Sequence, residues 1–428
     1  MRILSILSIA ISGFFIIPGS GKLAAQGKGG VSTYSTLDDA TNFVFEPQIV
    51  PNVQIDRFQW GFDTGVRYDD NINLAPAGQE EEDFTYHFSP DFLLTFLGDQ
   101  YTPNLVTLGY GADLVFGDGV IDDDIDVNQD VDLTYRYQSD RTRFALRGRY
   151  SRVGGVTGTD FGRFGDNLFF REIGRVRSDR FGITGDLDYR ITNNLALDVR
   201  YGYSDTDYSA PTIIGVDNLN DFSTYGGQIG LNFGSDRFNI GPYFGYERID
   251  TDDNARQEAF QYGGAITWEY SALTSFFAQL GYDDRSFDGI ENEANDRGSF
   301  VWSAGFDWHP SSLLSSRLSV SRTILPSAVL DNQNLDQSSI DWALRRNFAE
   351  YYFGRIVASY AWVDYDSNQI GTTAIEEENF VSGYFELGRR LSDWGSASFY
   401  YRYIENESDS LAREYENNTV GFRLSVDF

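Results

Sequence analysis

The sequence predicts an all-β protein, a single closed antiparallel transmembrane β-barrel of about 18 strands with short turns at one end and long loops at the other. Three observations carry that expectation. Aromatic residues make up 16% of the chain and glycine occupies 43 positions, with only 10 prolines, yet mean hydropathy is −0.36. So many large rings in so polar a chain need somewhere to be buried, and a lipid-facing surface provides it without a large apolar core. Apolar and polar residues alternate along segment after segment, as strands with one greasy face require. Finally, the connections between those segments are short and long in turn, the asymmetry of barrels that cross an outer membrane.

In chain order, residues 1–25 read as a cleaved signal peptide. Arg2 supplies positive charge, Ile3 to Ile17 form the apolar run, Pro18 and Gly19 end it, and Leu23-Ala24-Ala25 offers a small-residue cleavage site. The run is shorter than the roughly 20 residues that a spanning helix needs. Residues 26–56, with Pro47 and Pro51 and no clear period, read as a periplasmic lead-in. Residues 57–428 read as the barrel.

Alternation is cleanest at the end of the chain. Val420, Phe422, Leu424, Val426 and Phe428 share one face, and Arg423, Ser425 and Asp427 the other. Phe144, Leu146 and Tyr150 alternate in the same way with Arg143, Arg147 and Arg149, and Leu195, Leu197, Val199 and Tyr201 with Asp198 and Arg200. Short turns are expected near Asp99, Ser139-Asp140, Asn193-Asn194, Ser235-Asp236, Ala272-Leu273, Pro310-Ser311, Asn347 and Ser392-Asp393. Long loops are expected over 70–83, 117–126, 154–178, 207–222, 250–258, 287–297, 325–336, 365–379 and 407–415. The resulting count is even and leaves both ends on the periplasmic side. Within 154–178, Leu168 to Ile173 could extend a strand, form a hairpin or fold into the lumen, which leaves 16 strands as an alternative.

Charges on a lipid face cost about 2 to 4 kcal/mol for a mid-depth arginine, so they are expected to point inward and to be hydrated or paired. The inward register contains Arg136, Arg143, Arg147, Arg149, Arg200, Arg402 and Arg423 together with Asp113, Asp132, Asp186 and Asp198. Arg136, Arg143, Arg147 and Arg149 form either a basic ladder guiding anionic solutes or a set of ion pairs with Asp130, Asp132 and Asp186. Tyr203, Trp268, Tyr270, Trp302, Trp308, Trp362 and Phe428 are expected in the aromatic girdles, against outer-membrane lipid and lipopolysaccharide.

Other chemistry finds little footing. The chain has no cysteine and two histidines, His87 and His309, without the spacing of a metal pair or a hydrolase motif, so no cofactor and no enzymatic reaction are expected. Both histidines read as wet wall positions. A formal charge of −31 argues against a nucleic-acid partner. Acidic runs at Glu80 to Asp83, Asp122-Asp123-Asp124, Asp250 with Asp252-Asp253, and Glu376 to Glu378 fall in expected long loops. They read first as solvated surface, with Asp122, Asp123 and Asp124 the candidates for a divalent cation.

The segment Gly65-Val66-Arg67-Tyr68-Asp69-Asp70-Asn71-Ile72, the Phe88-Ser89-Pro90 step, the repeated Gly-Tyr segments and the terminal Phe428 resemble the outer-membrane beta-barrel porin type 2 family, whose genes often lie among exopolysaccharide genes. The resemblance implies a barrel, passage or secretion of a polymer, and no catalytic residues. Phe428 is similar to the terminal aromatic read by the barrel-assembly machinery, and the loop over 154–178 to the constriction loop of general porins, although without its acidic motif. Together these readings lead to a porin-like channel for a polysaccharide or small solutes. The alternative is a plugged barrel that scaffolds a surface assembly.

Overall fold

The computed structural model describes residues 58–97, 103–117, 125–154, 177–208, 221–235, 237–251, 256–288, 297–326, 334–348, 351–365, 377–409 and 413–428. The signal and lead-in expected over 1–25 and 26–56 lie outside them, as do Asp122, Asp123 and Asp124 and residues 155–176.

The first nine strands are β1 (Phe58–Asp69), β2 (Asp83–Leu97), β3 (Asn104–Gly117), β4 (Asp126–Gln138), β5 (Thr142–Val153), β6 (Ser178–Thr192), β7 (Leu195–Tyr208), β8 (Phe222–Gly234) and β9 (Phe238–Thr251). The second nine are β10 (Gln257–Ser271), β11 (Thr274–Phe287), β12 (Arg297–Ser311), β13 (Leu314–Pro326), β14 (Asn334–Asn347), β15 (Tyr352–Tyr365), β16 (Glu377–Ser392), β17 (Gly395–Ser408) and β18 (Tyr415–Asp427). Each pairs antiparallel with its neighbour, and β18 returns to β1, so the 18-stranded sheet closes on itself and leaves no edge. The strand count agrees with the sequence reading, and the start of β1 and the end of β18 both lie at the short-turn end.

Closure is specified at both ends of the β1–β18 seam, which pairs from Gly61↔Asp427 to Asp69↔Thr419. At the short-turn end, Trp60 and Phe428 exchange backbone hydrogen bonds of 3.1 and 2.8 Å. Their rings stack at 4.6 Å, and Trp394 stacks on the other side of Phe428 at 5.8 Å. At the long-loop end, Asn417 and Thr419 donate to the Asp69 carboxylate, and Asn418 donates to Asp70 from its backbone N at 2.6 Å and from Nδ2 at 2.9 Å.

Outward positions carry the exposed apolar side chains, among them Trp60, Phe84, Leu146, Tyr201, Ile229, Leu280, Phe300 and Phe422. Inward positions carry the buried polar ones, such as Arg67, Asp113, Gln261, Asp283 and Asn417. This inverts the pattern of a soluble sandwich, as hydrocarbon outside and polar groups inside require. Glycines on the inner face let rings lie flat across adjacent strands. Tyr243 of β9 covers Gly281 of β11, where an added Cβ would sit 3.1 Å from the ring Cζ, and Phe277 covers Gly305 at 2.6 Å.

Some boundaries differ from expectation. β12 continues through Pro310 and Ser311, and the turn is Ser312-Leu313. A register shift between Trp308 and Ser311 accommodates the proline, which has no N–H to offer the ladder. Asn347, expected in a turn, closes β14, and the backbone N of Phe348 donates to the Tyr352 carbonyl of β15 at 2.9 Å. Asp83, Asp250, Glu377 and Glu378, read as loop residues, belong to strands whose partners extend equally far.

Candidate functional site

The inner wall has two unlike arcs. Along β4 to β7, Arg136, Asp132, Arg143, Arg147, Arg149, Asp186 and Arg200 all take inward positions, because each follows in register from the next strand: Asp132↔Arg149, Arg136↔Ala145, Arg147↔Thr184, Asp186↔Arg200. Arg136 and Arg147 are exposed and Arg143 is half-buried. An exposed side chain on the inside of a barrel needs a solvent-filled space beside it. None of these three has an ion pair among the described residues. Others on this arc are paired: Arg149 meets Asp130 at 2.7 Å, and Arg200 lies 3.3 Å from Asp198 and 3.7 Å from Asp186. Asp132 accepts from Thr134 at 2.9 Å. Paired and unpaired arginines therefore both occur among the described residues of this arc.

On the arc from β14 through β18 to β1, many of the inward charges are buried, while Arg423, Arg345 and Asp63 are half-buried. Arg67, Arg355 and Arg402 are buried. The Arg355 guanidinium lies 4.9 Å over the Tyr384 ring and 3.6 Å from Glu386, Arg423 lies 5.3 Å over Tyr400, and Tyr384 stacks on Tyr400 at 5.9 Å. Arginine is suited to such sites because its planar, weakly hydrated charge tolerates stacking. The burial of Arg67, Arg355 and Arg402 against neighbouring side chains differs from the uniformly wet interior expected from the alternation.

Asp113 and Asp198, expected to line water, are likewise buried. Asp113 accepts from Ser89 at 2.6 Å and lies 3.3 Å from His87 Nδ1, while Thr85 Oγ1 lies 3.0 Å from His87 Nε2. His87 is thus part of a buried network and not a wet wall position. A hydroxyl, an imidazole and a carboxylate in this order resemble a relay, but Thr85 is 1% exposed and offers a substrate no approach. His309 is half-buried beside the turn after β12.

A second network joins elements the sequence did not link. Arg285 donates to Gln257 at 2.6 Å, to Glu247 at 2.8 Å and to Asp283 at 3.3 Å, and Gln257 donates to Asn334 of β14 at 2.8 Å. The spacing Asp283 to Arg285 was the available signal, because residues two apart share a face. Among the described residues, no group of three or more His, Asp or Glu could hold a metal ion.

The girdle candidates all face outward. Trp268 and Tyr270 meet edge to face at 5.3 Å and Trp308 is exposed near the short-turn end; Tyr203 and Trp362 lie toward the long loops, and Trp362 packs on Tyr360 at 5.0 Å. Trp302 pairs in register with Arg322, five residues from the long-loop end of β12. Phe428 lies at the seam with Trp60 and Trp394.

No curated protein matches the chain. Among solved structures it is similar to OccAB3 of Acinetobacter baumannii, with 13% identity, a TM-score of 0.43, and coverage of 87% of this chain and 98% of that one. It is similar to OccAB4 of the same organism, with 12% identity, a TM-score of 0.44, and coverage of 89% and 100%. OprD of Pseudomonas aeruginosa gives 11% identity, a TM-score of 0.42, and coverage of 87% and 95%. Residues 135–348, half of the chain, match the family model of the outer membrane protein beta-barrel domain. With the closed barrel and its apolar exterior, that match makes the chain a bacterial outer-membrane protein and a member of the outer membrane protein beta-barrel domain family.

Proposed function

We propose that this barrel is a porin-like passive channel for small hydrophilic solutes, with the path along the β4–β7 arc. The observation that supports it most is the exposure of Arg136 and Arg147 on the inner face, which calls for water beside them. Free arginines there favour anionic solutes. In this reading residues 1–25 direct export, residues 26–56 precede the barrel, Phe428 presents the end of the chain to the assembly machinery, and lipopolysaccharide contacts the outward girdle. Export of a polysaccharide, which the family resemblance suggested, would need a wide bore, and the packed β14–β1 arc favours small solutes instead.

Discrete conductance steps from the purified protein in planar bilayers are the expected result. Persistent silence in bilayers into which the folded protein has inserted would replace the channel with a plugged scaffold. The buried arc and the side-chain bridge from Gln257 to Asn334 give that second reading its footing.

A further inference from the structure

The connection between β1 and β2, residues 70–82, lies wholly within the described residues and does not simply project outward. Its first residues turn into the mouth of the barrel. The buried Asn71 side chain makes three hydrogen bonds: Nδ2 donates to the carbonyls of Ala75 at 2.8 Å and Glu416 at 2.9 Å, and Oδ1 accepts from the Ala75 backbone at 2.9 Å. Asp70 is held by both nitrogens of Asn418. Ile72 is completely buried, and its backbone N donates to Glu81 at 2.8 Å.

Leu74 is buried as well. Its φ of 51° lies in the left-handed region, at a cost of order 1 to 3 kcal/mol for a residue with a side chain. Such a conformation persists only when its surroundings hold it, and here they do. Leu74 packs with Ala361, Phe380, Ile404 and Tyr415, one inward residue from each of β15, β16, β17 and β18. The apolar tip of an otherwise polar loop therefore rests on an apolar patch inside a polar barrel. By contrast, Gln79 and Glu80 at the outer part of the loop are exposed.

We propose that residues 71–75 form a fixed constriction of the external mouth, an apolar wedge of Ile72, Leu74 and Ala75 pinned to the last strand through Asp70 and Asn71. The wedge closes the β15–β18 side of the mouth and confines passage to the opposite arc, admitting small hydrated solutes and excluding a polymer chain. This inference rests on the channel reading and names the element that sets its size limit.

Because the chain has no cysteine, placement and constriction can be tested separately in the full-length protein. Leu74→Cys should resist a bulky polymer-linked maleimide added from outside, while Gln79→Cys reacts. Adding Asn71→Ala to Leu74→Cys should make that thiol reactive. Replacing 73–80 by a short glycine linker should raise unitary conductance by about a factor of two, since the narrowest radius governs passage, and should admit larger oligosaccharides in liposome swelling. Equal labelling of Leu74→Cys and Gln79→Cys would overturn the placement. A conducting native channel whose conductance and size limit are unchanged by the linker would overturn the constriction alone, whereas silence of both proteins would end the channel reading and this inference with it.

Discussion

Replacing Arg136, Arg143 and Arg147 together with alanine should shift the channel toward cation selectivity. These three are chosen because they lack ion pairs among the described residues, so their removal strands no buried acid. Arg149 is left in place, since its loss would leave Asp130 without its partner at 2.7 Å. A unit charge about 6 Å from a passing ion in water is worth about 0.7 kcal/mol. Salt at about 0.1 M, with a screening length near 10 Å, roughly halves that. Three charges then contribute about 1 kcal/mol, or about fivefold in the local concentration of each ion, downward for anions and upward for cations. Reversal potential across a salt gradient reads this directly, and the shift should shrink as salt is raised. A variant that conducts normally with an unchanged reversal potential would show that the three side chains do not line the path.

Two further substitutions test the wall itself. Gly281→Val should destabilise the barrel by about 1 to 3 kcal/mol, because the new side chain displaces the Tyr243 ring. Gly148→Val, outward with nothing within 4 Å of an added Cβ, should be close to neutral, and the heat-modifiable mobility of the folded barrel on gels compares the two. Arg285→Leu should cost about 3 to 5 kcal/mol by removing the guanidinium that pairs with the buried Asp283 carboxylate and with Glu247. Adding Asp283→Asn and Glu247→Gln should recover most of the urea midpoint, and failure to do so would show that the network acts through more than its charges.

The sidedness of the barrel was legible in the sequence because it is a local property. The alternation in Val420 to Asp427 assigns each residue a face without reference to any other strand. Wetness was not legible, since it depends on what sits opposite. Arg147 and Arg402 alternate identically, yet Arg147 meets open space and Arg402 lies behind inward neighbours. The run Tyr68 to Ile72 stood out only by resemblance, and its partners Asn417, Asn418 and Thr419 lie about 350 residues away. Length alone points to the loop over 154–178 as a constriction, whereas the local mark of the 70–82 connection is the apolar Leu74 inside a polar stretch. The buried state of His87 was hidden for the same reason, because Asp113 comes from another strand.

The pairing of the first strand with the last has a kinetic consequence. Nearly the whole polypeptide must be made and threaded before Asp70 can find Asn418, a separation of 348 residues, so ring closure carries the largest loop entropy of any step and comes late. Until then the growing sheet has two unsatisfied margins exposed to lipid or to foreign strands. The aromatic stack at one extremity and the amide-carboxylate clasp at the other act as a two-point zip that rejects frame-shifted closure. Without β18 the edges of β1 and β17 stay open, so a chain cut before its final strand is expected to pair those edges with other chains.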